Sequence, residues 1–76
     1  MPKVKVAVEK IRVGDQVCTP GDRVVKMICG TVTKIDRRKG GVTFSSPDWA
    51  NESAKKYGDG LGYYIARNGE KLIVKR

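Results

Sequence analysis

The sequence predicts a mostly β domain: a small antiparallel barrel of about five to six strands, with one short helix near residues 47–57. Three observations predict it. Ten Val and five Ile stand against two Leu, and β-branched side chains suit pleated strands while losing rotamer freedom in helices. Short runs alternate with period 2 and are separated by Gly, Pro, Asn and Asp. One segment, opened by Ser46-Pro47 and closed by Gly58, breaks that grammar. The 76 residues suffice for a single domain, 1–76, and exclude larger scaffolds such as doubly wound dinucleotide folds.

Each element follows from local chemistry. Over residues 3–9, Lys3 and Lys5 alternate with Val4, Val6 and Val8, so the valines share one face of a half-buried strand. Gly14-Asp15 signals a turn, residues 16–19 a short strand, and Pro20-Gly21-Asp22 its end. Residues 23–28 are extended, and a second extended run covers 30–35. Gly30, with the change of phase between Ile28, Val32 and Ile35, predicts a bulge or sharp bend there. Residues 36–41 form a hairpin loop in which Gly40 and Gly41 are expected at positive φ. Val42 and Phe44 face inward on the returning strand.

Ser46 is expected to cap the helix, with Pro47 at its first position and Asp48 and Glu52 towards its positive end. Lys55 and Lys56 suit the negative end and Gly58 the position after it. A helix this short needs packing, and Trp49 is its expected anchor. Residues 58–62 read as a flexible connector. Asn68-Gly69, between two β runs, predicts a type I′ hairpin that sets Arg67 opposite Glu70, Ile65 opposite Leu72 and Tyr63 opposite Val74. Ala66 then faces Lys71 and Tyr64 faces Ile73 on the other side.

Charge and composition narrow the function classes. Lys and Arg total 16 and Asp and Glu 8, for a formal net charge of +8. The chain has no His, the commonest general base and metal ligand, and two Cys are too few for a structural zinc site. No spacing proposes a carboxylate pair, and Cys18 and Cys29 lack a His to activate them. The expectation is therefore no catalytic residues, no cofactor and no metal. No apolar leader or span is visible, which predicts a cytoplasmic protein with no membrane contact and reduced thiols, a disulfide being the alternative.

Val13-Gly14-Asp15-Gln16-Val17, Gly30-Thr31-Val32-Thr33-Lys34-Ile35-Asp36 and Gly41-Val42-Thr43-Phe44 follow a known order. The stretch from Ile11 to Ser45 resembles Src-homology-3-like small barrels of the KOW and Tudor types. There a Gly-Asp turn precedes a strand with Gly, Val and Ile at the spacing of Gly30, Val32 and Ile35, and a short basic or glycine turn leads to a third strand. The helical insert departs from the minimal barrel. Such barrels serve in ribosomal proteins, elongation factors, chromatin readers and phage or plasmid regulators, so the resemblance does not choose among these functions.

Arg37-Arg38-Lys39 concentrates three cations at one hairpin tip. With the overall excess, it predicts a small module that binds DNA or RNA by contacting phosphates, with little sequence specificity. The expected contacts are Arg37, Arg38 and Lys39, then Lys34, Lys71 and Lys75. Tyr64 could stack on a base, although a small barrel also needs its aromatics inside. The alternative is a protein-interaction module that recognises an acidic partner, such as transcription, translation or nuclease machinery. It would use strand edges or the insert with Trp49, Tyr57 and Leu61. A monomer or weak homo-oligomer is expected.

Overall fold

A computed structural model describes residues 2–21, 26–58 and 60–76. Among the described residues the chain is mostly β, with seven strands and one α-helix. The strands are β1 (Lys3–Ala7), β2 (Gln16–Cys18), β3 (Cys29–Thr31), β4 (Lys34–Arg38), β5 (Gly41–Ser45), β6 (Tyr63–Arg67) and β7 (Lys71–Lys75). The helix α1 (Pro47–Tyr57) lies between β5 and β6, and a 3₁₀ turn, Val8–Lys10, follows β1. The predicted extended run 23–28 falls outside the described residues as far as 25.

Two antiparallel sheets carry these strands. One has the order β1-β7-β2-β3 and the other β4-β5-β6. Among the described residues no ladder joins the two sheets, so hydrogen bonding does not close a barrel. The predicted run 30–35 is instead divided. Its first part pairs with β2 and its second with β5. The bend falls at Val32 and Thr33, next to the predicted Gly30. Val32 is buried, exchanges backbone hydrogen bonds with Asp15 and Gly14, and Thr33 then donates to Ser45 of the other sheet. This division raises the strand count to seven.

Between the sheets lies one core, which includes Val8, Ile11, Val17, Phe44, Leu72 and Val74. Trp49 completes it. It is 1% exposed, and its Nε1 donates to the Val17 carbonyl at 3.1 Å. Withdrawing such an aromatic from water contributes on the order of 3 kcal/mol. The indole hydrogen bond removes the penalty of burying its N–H. The expectation that Trp49 anchors the helix therefore holds. Gly30 makes the approach possible, because a Cβ there would stand 2.7 Å from both the Ser46 Oγ and the Asp48 Cβ.

The helix spans 47–57 as predicted, with Pro47 in its first turn and Gly58 ending it in the left-handed conformation at φ 76°. The Gly58 N–H donates to the Ser53 and Ala54 carbonyls. The predicted cap does not form: Ser46 occupies the capping position with no side-chain bond. Its hydroxyl is buried against the sheet without a hydrogen-bond partner among the described residues. Asp48 turns to the Thr31 N–H of β3 instead, at 2.9 Å.

Four other expectations are corrected. Gly40 and Gly41 do not take positive φ. Lys39 and Gly40 bridge the Arg38↔Gly41 pair, and at Gly41 a Cβ would collide with the Ala66 carbonyl of β6. The connector 58–62 is packed at Gly62, while Gly58, Gly60 and Leu61 are exposed. The Gly62 carbonyl accepts from the Ser46 N–H, and a Cβ at Gly62 would lie 2.9 Å from the Ala50 Cβ. Cys18 and Cys29, expected as thiols, are joined by a disulfide, because the β2·β3 register sets them directly opposite each other.

The fourth correction matters most. Asn68-Gly69 does make a tight turn, closed by the Glu70 N–H on the Arg67 carbonyl at 3.1 Å. Only Gly69 has positive φ there, whereas type I′ requires it at both central residues. The turn is a corner between sheets. Its arms part, β6 joining β5 and β7 lying between β1 and β2. The phase of β7 is as predicted, with Leu72 and Val74 buried. That of β6 is reversed. Ala66 and Tyr64 turn inward opposite Val42 and Phe44, while Tyr63 and Ile65 turn out.

Candidate nucleic-acid interface

The seven predicted contact residues separate onto distinct surfaces. Lys71 and Lys75 lie on the outer face of the β1-β7-β2-β3 sheet, where alternate β7 residues point away from buried Leu72 and Val74. Pairing with β1 adds two cations that were counted in the charge excess but not assigned to the site. Lys75 stands opposite Lys3, and Lys5 sits opposite Ile73, between Lys71 and Lys75 on the diagonal. Directly opposed like charges destabilise a ladder. Among the described residues no carboxylate forms an ion pair with any of these four lysines. The alternation of Lys3 and Lys5 was visible in sequence, but their meeting with Lys71 and Lys75 depends on β1·β7 pairing, which no local signal specifies.

The basic tip divides. Arg38 turns back onto Asp36, two residues away on the same face, at 3.0 Å. Lys39 lies in the turn, with its carbonyl accepting from the Asn68 side chain. Arg37 points the other way. Its guanidinium donates to the Ile11 carbonyl at 3.0 Å and lines an open cleft with Glu9, Lys10, Arg12, Asp15 and Arg76. Arg76 pairs with Asp15 at 3.0 Å. Burial alone would raise the Asp15 carboxyl. The Arg12 backbone N–H and the Arg76 guanidinium outweigh it and hold the group below the usual carboxylate range. Arg76 directly follows Lys75, so this cleft adjoins the Lys3–Lys75 end of the lysine face.

Tyr64 is not placed to stack on a base. It packs against the core, and its hydroxyl donates to Glu70 Oε1 at 2.8 Å. Burial pushes the phenol up to about 12, and both the hydrogen bond to Glu70 and that residue's negative charge act in the same direction. Glu70 also accepts the Arg67 N–H and so fixes the corner. Its neighbour Tyr63 reaches the surface, on the outer face that also carries Lys34 and Arg38.

Compared with protein-family models, curated proteins and solved structures, the chain matches none. The helical contact surface expected for a protein-binding role loses Trp49 to the core, keeps Leu61 exposed, and includes Tyr57, whose side chain lies outside what is described. Among the described residues no helix is long and apolar enough to cross a membrane.

Proposed function

We propose that this protein is a small non-catalytic nucleic-acid-binding module that holds DNA or RNA by its phosphates. The observation that carries the reading is the lysine face. Lys3, Lys5, Lys71 and Lys75 occupy adjacent strands, and among the described residues no carboxylate pairs with them. The fold bears the cost of opposed ammonium groups, and a polyanion would turn that repulsion into attraction. A five-residue strand spans about 17 Å, enough to follow several phosphates. The neighbouring cleft adds Lys10, Arg12 and Arg37 beside Glu9 and the paired Asp15 and Arg76.

Within this reading the two sheets form the halves of a Src-homology-3-like barrel. Support comes from the β3–β4 bend, which lets one run of chain serve both sheets. The module acts as a monomer or weak homo-oligomer. The cytoplasmic setting expected from the sequence stands against the Cys18–Cys29 disulfide, since reducing compartments keep thiols apart. Phosphate binding needs neither setting.

Fluorescence anisotropy with labelled DNA and RNA over a salt series tests the reading. Changing the four lysines to Ala should weaken binding and lower the slope of log K against log salt by about 3 to 4. Changing Arg38 and Lys39 to Ala should cost less. An unaltered slope in the quadruple variant would refute the lysine face as the site.

A further inference from the structure

The outer face of the β4-β5-β6 sheet is built differently, and its rows are set by register. Arg38, Gly41 and Arg67 form one row. Asp36, Thr43 and Ile65 form the next, and Lys34, Ser45 and Tyr63 the third. The central strand thus contributes only small residues. Adjacent strands lie about 4.8 Å apart, so the flanking strands are roughly 10 Å apart across a low floor. Gly41 cannot be enlarged, because a Cβ there would collide with the Ala66 carbonyl. One wall carries Lys34 and Arg38. The other carries Tyr63, Ile65 and Arg67.

That second wall presents two large side chains to solvent. Ile65 is 67% exposed and Tyr63 49% exposed. They lie two residues apart on one face, about 7 Å along the strand. The single carboxylate in the trough, Asp36, is already bound by Arg38. What remains is a narrow floor with an aromatic plane, an aliphatic neighbour and cations on both sides. Flat apolar rings on a charged phosphate chain complement it. A duplex keeps its bases stacked inside and cannot offer their faces to Tyr63.

From this arrangement we infer that the trough binds unpaired nucleotides, with Tyr63 stacking on a base and Ile65 packing beside it while Lys34 and Arg67 hold the phosphates. The inference rests on the nucleic-acid reading and makes it specific. The lysine face holds any strand, and the trough selects single strands.

The test measures anisotropy of short single-stranded DNA and RNA oligonucleotides and of duplexes of equal length. Wild type should prefer the single strands. Tyr63→Ala should weaken single-strand binding about tenfold while leaving duplex affinity and the salt slope unchanged. Tyr63→Phe should retain the affinity, and Ile65→Ala should give a smaller loss in the same direction. A preference for duplex, or Tyr63→Ala acting equally on both substrates or on neither, would overturn the trough and leave the lysine face standing. Absence of binding to any nucleic acid at low salt would overturn both readings.

Discussion

The two outer faces of this molecule share their cations and set them among different neighbours. On the β1-β7-β2-β3 sheet, four lysines surround half-buried Ile73. The charged side chains there are all lysines, with no aromatic ring among them. On the β4-β5-β6 sheet, three cations share the surface with Tyr63, Ile65 and a row of small residues. A charge count treats a lysine on either face alike. The contrast teaches that the neighbours across the ladder, rather than the net charge of +8, decide what a cation can recognise.

The contrast can be attacked at its supports. The largest effect should come from removing the disulfide, which closes a loop with a sequence separation of 11. Cys18→Ser with Cys29→Ser should cost about 3 kcal/mol in urea unfolding. It leaves β2·β3 resting on a ladder of three residue pairs, within the sheet that carries the lysines. An unchanged unfolding midpoint would show that the core alone holds that sheet.

Next is the corner that orients the other face. Tyr64→Phe removes the hydroxyl bonded to Glu70 and should cost about 1 kcal/mol. It should also remove a pH dependence. The folded phenol titrates near 12 against an ordinary value of 10.0, so the folded state retains the proton longer. The stability this supplies is complete below about pH 10 and is lost as pH rises towards 12. Wild type should lose stability over that window beyond whatever the Phe variant loses, which denaturation at a series of alkaline pH values would read.

The smallest effect should have the opposite sign. Lys3→Gln relieves the repulsion across the Lys3↔Lys75 pair and should raise stability by about 0.5 kcal/mol while weakening nucleic-acid binding. A gain in stability together with a loss of binding sharpens the comparison. A loss of both would mean that Lys3 holds the sheet rather than a ligand.

Much of the fold was legible where the signal was local. Pro47 and Gly58 mark the ends of the helix because each acts through its own backbone. The phase change between Val32 and Ile35 marked the bend for a similar reason. What escaped the sequence was partner choice. Asn68-Gly69 announces a turn, but whether its arms pair depends on what else they can bury. Tyr64 and Ala66 meet Phe44 and Val42, while Leu72 and Val74 settle between β1 and β2. That choice reversed the face of β6, exchanging Tyr64 for Tyr63 at the surface. The same limit hid the meeting of Lys3 with Lys75 and of Cys18 with Cys29. Each is a contact between distant segments whose spacing carries no periodic signature.

The bend at Val32 and Thr33 has a consequence for how the molecule comes apart. Residues 29–38 belong to both sheets, so neither can melt without pulling on the strand that completes the other. Buried Val32 sits at that joint, and Trp49 reaches β2 from a helix that leads into β6. Loss of structure should therefore spread through the whole chain as one cooperative event. No half-folded species should display the lysine face without the trough, and both surfaces should vanish at the same temperature.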